Sequence, residues 1–194
     1  MRLFPATVAF CLAALGAHAD TPEIRAADQG RLADFDGAFG AAMQEALAGG
    51  DINDLDRVLI AMAGIPGDYD PAGTWKCRTI KMGGLTPLVA YAPFDCRVTK
   101  TDGDSWRIEK LTGSQRLVGR LDQTDAGLIY TGVGFVDGGP AMAYEQLPPG
   151  NEPVEPGQTI PQVGYFVQTA DDNARLMLPR PIFESTFDIL HFTR

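Results

Sequence analysis

The chain has 194 residues, 45% of them hydrophobic, so it is long enough to bury one substantial core. It carries 25 acidic and 16 basic residues, a formal charge of −9. Because phosphate backbones and anionic membrane surfaces repel such a chain, we expect no nucleic-acid partner.

Residues 1–19 have the features of a signal peptide. A minimal basic start precedes the apolar run Leu3–Leu15, and residues 17–19, Ala-His-Ala, supply a small-x-small cleavage pattern. The apolar run is too short to span a bilayer and no later stretch is long enough, so we expect no membrane span. The expected location is therefore periplasmic or secreted.

Two amphipathic segments within residues 20–72 predict an α-helical hairpin followed by a turn-rich linker. Their apolar residues recur at spacings of three and four, as Leu32, Phe35, Phe39, Met43 and Leu47 and then as Leu55, Val58, Leu59 and Met62. Such stripes need a partner surface. Docking on the following domain is the simpler interpretation, and a detachable arm that binds another protein is the alternative.

In residues 73–194 the periodicity changes to two, which predicts a mainly β domain, an antiparallel β-barrel or sandwich. About nine short strands are expected, around residues 75–79, 88–98 (with a break at Pro93), 106–109, 116–121, 128–135, 141–145, 163–169, 175–178 and 183–192. The segment 146–162 holds five prolines and little to bury, and we expect a mobile surface loop there.

Two cysteines, Cys77 and Cys96, remain after removal of Cys11 with the signal peptide. Both lie on the apolar faces of their predicted strands. An even number of cysteines in an oxidising compartment predicts a Cys77–Cys96 disulfide.

Few residues offer catalytic or metal-binding chemistry. Beyond the signal peptide the only histidine is His191, and the disulfide removes both thiolates, so we expect no metal site and no cofactor. No serine lies in a Gly-x-Ser-x-Gly motif. His191 shares a face with Phe187 and Ile189, which favours a structural histidine over a catalytic base. We predict no catalytic residue.

A charged group in the middle of the β domain is the remaining candidate; it consists of Glu109, Lys110, Arg116 and Arg120. Arg116 and Arg120 fall on one face of their predicted strand, with Glu109 and Glu184 as possible partners. Paired arginines suit an anion or carboxylate site, because a guanidinium recognises a carboxylate in a bidentate manner. The alternative is a solvated ion-pair network on the outside of a barrel.

The stretches Trp75–Lys81 and Glu109–Arg116, with the tail from residue 162 to 185, resemble a secreted proteobacterial domain-of-unknown-function family, number 4893. That resemblance implies no activity. A looser resemblance, carried by Gly73-Thr74-Trp75, is to lipocalin-type (calycin-like) barrels. It implies a closed barrel, although a shared fold does not transfer function.

The first functional hypothesis is a non-enzymatic periplasmic binding module. Trp75, Tyr130 and Phe135 would hold a small apolar or amphipathic ligand in the barrel interior or mouth. The second is an interaction protein, such as an inhibitor or envelope assembly partner, acting through the helices or the Pro-rich loop. The third, an enzyme using Glu109 or Glu184 with the arginines, has the least support.

Overall fold

The computed structural model describes residues 23–194, so the signal peptide expected at 1–19 lies outside the described residues. Three helices come first: α1 (Ala26–Ala33), α2 (Phe35–Gly49) and α3 (Ile52–Met62). Nine strands follow: β1 (Gly73–Met82), β2 (Leu88–Ala90), β3 (Phe94–Lys100), β4 (Ser105–Lys110), β5 (Gln115–Thr124), β6 (Gly127–Val136), β7 (Ile160–Ala170), β8 (Asn173–Pro179) and β9 (Phe187–Thr193). None of these helices is long and apolar enough to cross a membrane.

The strands close into an eight-stranded antiparallel barrel, one of the two antiparallel architectures that the sequence predicted. From β3 onward each strand pairs with the next one, and β9 returns to pair with β1 along its length, with Ile80 opposite Ile189. The short β2 is an additional strand on the second half of β1. Closure through β1 and β9 leaves no free edge between the first and last strands of the barrel.

Large side chains fill the centre of the barrel. Trp75, Tyr130, Phe166 and Phe192 are at most 3% exposed, and the Phe192 ring makes edge contacts with Trp75 and Phe166. Gly119 and Gly132 lie opposite each other on β5 and β6, and a Cβ on either would meet the Tyr130 ring or hydroxyl at 2.4 Å. This glycine pair therefore makes the space that the tyrosine occupies.

The helices pack on the outside of the barrel through small residues. Ala38, Ala42 and Ala46 of α2 are fully buried against a surface that includes Met82 and Phe187. Small side chains at this spacing let a helix lie close to a sheet. The predicted first stripe is divided by Asp34 between α1 and α2, and its last member, Leu47, is 67% exposed.

The disulfide joins Cys77 and Cys96 on neighbouring strands, as predicted, with a Cα–Cα distance of 5.8 Å. Both sulfurs lie in the barrel core. The chain breaks between β2 and β3 around Pro93, as predicted. After this break the buried face changes: Leu88 packs under the helices, whereas Val98 points into the barrel.

The prediction of a strand at 141–145 is wrong. That segment is irregular and ends in a single 3-10 turn at Tyr144–Gln146. Instead of joining the sheet, Tyr144 and Leu147 pack on Val133 and cover the outer face of β6. A segment that covers a sheet in this way needs apolar side chains but no backbone hydrogen bonds to a neighbouring strand. The alternation of apolar residues alone therefore predicts a strand incorrectly there. The last predicted strand also begins later, at Phe187.

A buried ion pair fixes α1 to this cover and to the barrel. The Asp28 carboxylate is fully buried and accepts hydrogen bonds from Arg31 at 2.9 Å and from the Tyr144 hydroxyl at 2.6 Å. Arg31 also donates to the carbonyls of Pro161 and Pro179. The Asp28–Arg31 pair thus links α1 to the segment around Tyr144 and to strands β7 and β8.

Candidate functional site: a polar mouth at one end of the barrel

At one end of the barrel the inward alternation continues with polar residues instead of apolar ones. Lys81 follows Cys77 and Thr79 on β1, and Asp188 precedes Leu190 and Phe192 on β9. We name the polar residues at this end the polar mouth. Its inward members are Lys81, Lys110, Gln115, Gln162 and Asp188, and it is completed by Arg116 from the outer face of β5 and by Glu184 from the loop before β9. They come from β1, β4, β5, β7, β9 and the loop before β9.

Lys81 lies at the centre of the polar mouth and is 8% exposed. Its Nζ donates to Glu184 Oε2 at 2.5 Å and to Gln115 Oε1 at 3.0 Å. The hydrogen bond from Lys81 is the main reason that the pKa of Glu184 lies below its usual value. Glu184 also has a left-handed backbone (φ 69°), which a non-glycine residue rarely adopts. The ion pair thus holds the loop before β9 against the barrel end.

Lys110 is buried beside this pair and, among the described residues, has no carboxylate within 4 Å. Its Nζ donates to the Gln115 carbonyl at 2.6 Å and lies 3.8 Å from the centre of the Phe94 ring. Burial, together with the nearby charges of Lys81 and Arg116, lowers the pKa of Lys110 to about 8. The mouth therefore contains a cation that no carboxylate neutralises directly.

Asp188 lies directly opposite Lys81 in the β1–β9 register and is 6% exposed. Its carboxylate accepts a hydrogen bond from Ser185 Oγ at 2.5 Å. Burial raises the pKa of Asp188 to about 6, and the charge of Lys81 limits that rise. Asp188 therefore changes charge in the pH range just below neutrality.

A cavity of about 60 Å³ opens among these groups, roughly the room of two water molecules. Lys81, Gln115, Arg116, Gln162 and Asp188 form its polar wall. Its apolar rim consists of Phe135, Val136, Ile160, Pro181 and Phe183.

Two residues of this wall each have a buried polar atom without a hydrogen-bond partner among the described residues: Arg116 Nε, a donor, and Gln162 Oε1, an acceptor. Gly134 helps to keep the space open, because a Cβ there would lie 2.7 Å from the Gln162 amide nitrogen. Buried polar groups in native proteins are nearly always paired. An occupant that satisfies both atoms would accept a hydrogen bond on one side and donate one on the other.

The structure brings three of the predicted ligand-binding residues to this mouth. Arg116 and Phe135 line the cavity, and Glu184 holds Lys81. Trp75 and Tyr130 instead belong to the packed centre of the barrel.

The other two predicted residues lie on the outer face of the barrel. Arg120 pairs with Asp122 at 2.5 Å, whereas Arg116 pairs with Asp137 at 2.9 Å. The two arginines share a face, as predicted, but have separate carboxylate partners. Glu109 accepts from Arg97 and Arg107 in an exposed network.

Sequence reasoning missed four members of the mouth, Lys81, Gln115, Gln162 and Asp188, and it named Lys110 only as part of the charged group, without a role. Their signal was a polar residue at an inward position of an otherwise apolar alternation. Lys110, for example, follows Trp106 and Ile108 on the same face of β4. Burial of a charged side chain without a direct partner is rare, so such positions are candidates for function.

A larger, open cleft of about 1430 Å³ lies beside the linker. Its walls include Tyr69, Trp106 and Phe166, and Asp36 and Asp68 lie on its rim. The Trp106 indole donates to Asp70 at 2.9 Å, which fixes the linker to the barrel.

Comparison with known proteins identifies a family but no function. No curated protein and no solved structure matches the chain. The family model described as "Domain of unknown function (DUF4893)" matches residues 22–192, a range that includes the whole polar mouth. The chain therefore belongs to the DUF4893 family.

Proposed function

We propose that the protein is a non-enzymatic binding module of the periplasm or cell exterior, and that it holds the carboxylate of a small amphipathic molecule at the polar mouth. One observation carries this proposal: Arg116 and Gln162 line the same cavity, and each has a buried polar atom, the donor Arg116 Nε and the acceptor Gln162 Oε1, with no partner among the described residues. The disulfide is compatible with an exported protein.

The charges of the mouth favour an anionic head group once Asp188 is protonated. Lys81, Lys110 and Arg116 supply three positive charges. The mouth itself contains two carboxylates, Glu184 and Asp188, and Asp188 takes up a proton near pH 6. Arg116 also has an exposed partner outside the mouth, Asp137. A ligand carboxylate can therefore enter most readily when Asp188 is protonated, since two adjacent carboxylates disfavour simultaneous ionisation.

The size of the cavity defines how the ligand lies. About 60 Å³ accommodates a carboxylate group but not an extended apolar chain. The centre of the barrel is occupied by Tyr130 and its neighbours, so the apolar part stays at the rim. Phe135, Val136 and Phe183 offer apolar surface there, and Val136 is 39% exposed.

The test is calorimetric titration of octanoate, with octan-1-ol as the uncharged analogue of the same chain length. We expect octanoate to bind and octan-1-ol to bind at least tenfold more weakly. Lys81→Met should abolish octanoate binding. Lys76→Met is the matched control, because Lys76 lies on the same strand with its side chain 64% exposed, and this variant should bind as wild type does. Equal affinity for the two probes, or unchanged binding by Lys81→Met, would refute the proposal.

A second candidate function, protein–protein interaction through the helices, rests on exposed apolar residues. Leu47, Ile52 and Leu59 are between 66% and 73% exposed on α2 and α3. Their helices are packed on the barrel through fully buried alanines, so we propose a fixed surface for an envelope protein and not a detachable arm. Photo-crosslinking from position 59 in an envelope extract should yield one discrete adduct that Leu47→Ser removes. A smear unchanged by that substitution would argue against this role.

A further inference from the structure

A second cationic feature lies on the outside of the barrel, away from the polar mouth. Arg78 on β1 and Arg175 on β8 are both directly opposite His191 on β9. Directly opposite residues on antiparallel strands have Cβ atoms about 4.5–5.5 Å apart, and like charges at that distance are destabilising. Three basic side chains therefore form a row across three strands of a protein with a net charge of −9.

Neither guanidinium in this row has a carboxylate within 4 Å in the part of the chain that the structure describes. Arg78 donates to the carbonyl of Tyr91. Arg175 donates to the carbonyl of Ala63 at 2.9 Å, just after the end of α3, and its Nε is buried without a partner. Carbonyl oxygens satisfy individual N–H groups but leave the positive charge without a counterion.

A cavity of about 170 Å³ opens beside the row, between α3 and the barrel. Arg57, Lys76, Arg78, His191 and Thr193 line it, and within residues 23–194 no acidic residue is part of the lining. Arg57 and Lys76 each pair with a carboxylate elsewhere, Asp54 and Asp95. In both pairs the basic side chain is substantially exposed to solvent, and exposed ion pairs contribute little to stability.

The pKa of His191 reflects the positive charge around this cavity. Burial lowers its pKa, and the charges of Arg78 and Arg175 lower it further. Its Nε2 lies 3.2 Å from Asn173 Oδ1, so the neutral ring donates there. An anion in the cavity would offset the two guanidinium charges and favour the protonated imidazole.

We propose that this cavity binds a phosphate group, as free phosphate or as a phosphate monoester. Donors reach it from α3, β1 and β9, and this spread of directions suits the three or four oxygens of a tetrahedral dianion better than a planar carboxylate. Arginine also matches phosphate geometry through its fork of N–H groups. The volume of about 170 Å³ leaves room for the group together with several water molecules.

The test follows His191 by NMR in the full chain, in a phosphate-free buffer of constant ionic strength. The chain has two histidines, and a His191→Asn variant assigns the resonance of interest. Inorganic phosphate should raise the pKa of His191 in a saturable manner, whereas sodium chloride at equal ionic strength should not. A parallel titration with glycerol 3-phosphate identifies the source: tighter binding indicates a monoester, and equal or weaker binding indicates free phosphate.

Arg78→Gln should weaken phosphate binding at least tenfold. The matched control is Arg107→Gln, since Arg107 is an outward-facing arginine of β4 in an exposed pair, and it should bind phosphate as wild type does. If Arg78→Gln does not fold, Lys76→Gln tests the same cavity from a side chain that is 64% exposed. The inference is overturned if phosphate leaves His191 unchanged, or if the response persists in both cavity variants. These outcomes are independent of octanoate binding at the polar mouth.

Discussion

Replacing Asp188 with asparagine should stabilise the protein at neutral pH and have a much smaller effect in acid. Asp188 is buried, and its pKa is raised from 3.8 to about 6. Between these two values the native state holds a proton that the unfolded chain has lost. Stability therefore falls as pH rises through this window, and the deficit is complete above about pH 6. Asparagine has nearly the same shape but does not ionise, so it escapes this deficit.

The size of the effect follows from the two pKa values. A shift of about two units corresponds to about 3 kcal/mol of lost stability once Asp188 is fully ionised. About 1 kcal/mol of this is already present at pH 4.5, because the unfolded carboxyl is largely ionised there. The stability advantage of Asp188→Asn over wild type should therefore grow by about 2 kcal/mol between pH 4.5 and 7.5. In a domain of this length that corresponds to a difference of about 4–8 °C in Tm.

Urea unfolding of both proteins at the two pH values, with the disulfide intact, measures this difference. The matched control is Asp137→Asn, since the Asp137 carboxylate is 59% exposed and pairs with Arg116 at the surface. Its effect should change by less than about 0.5 kcal/mol between the two pH values. A pH-independent advantage for Asp188→Asn, or none at either pH, would show that Asp188 is not a buried, protonatable member of the mouth.

Three further predictions concern the same framework. The pKa of Lys110 is lowered to about 8, so the unfolded chain binds more protons than the native state between about pH 8 and 10.5. The free energy of unfolding of the wild type should therefore rise with pH in that range. Urea titrations should show that Lys110→Met removes this rise. Asp28→Asn leaves Arg31 buried without its charge partner and should reduce the free energy of unfolding by about 3–5 kcal/mol. Tyr144→Phe removes only a hydrogen bond to Asp28 and should reduce it by about 1–3 kcal/mol. Equal effects of the two substitutions would contradict the ion-pair account. Gly134→Ala places a methyl group against Gln162 and should weaken octanoate binding by about tenfold, about 1.4 kcal/mol. Circular dichroism should show that the fold is unchanged. Unaltered affinity would show that the ligand does not use this cavity.

The alternation of apolar residues was sufficient to predict an antiparallel β domain, a barrel or a sandwich, and the count of cysteines was sufficient to predict its disulfide. Inward residues such as Trp75 and Cys77 repeat every second position because interior and exterior side chains alternate along each strand of a barrel. The alanine stripe of α2 was missed because Ala38 and Ala42 carry little hydrophobic signal, although their small size is what lets the helix approach the sheet. The segment at 141–145 looked like a strand because a covering loop and a strand both bury apolar side chains.

The candidate site was harder to predict because its members come from six separate segments. Arg116 and Glu184 stood out as charges, but their neighbours depend on closure of the barrel. Closure places Lys81 opposite Asp188, a contact between positions more than 100 residues apart. A local pattern contains no information on that register. An inward lysine in an apolar alternation does signal such a site in advance, and Lys81 and Lys110 both follow that pattern.

A crystal structure with 8-bromooctanoate tests the central claim most directly, because the anomalous signal of bromine locates the chain and the density locates the carboxylate. We predict the carboxylate within 3.2 Å of Lys81 Nζ or Arg116 Nε and the bromine on the rim near Phe135 and Phe183. A ligand in the large cleft beside Tyr69 and Trp106, with the polar mouth occupied only by water, would contradict the account.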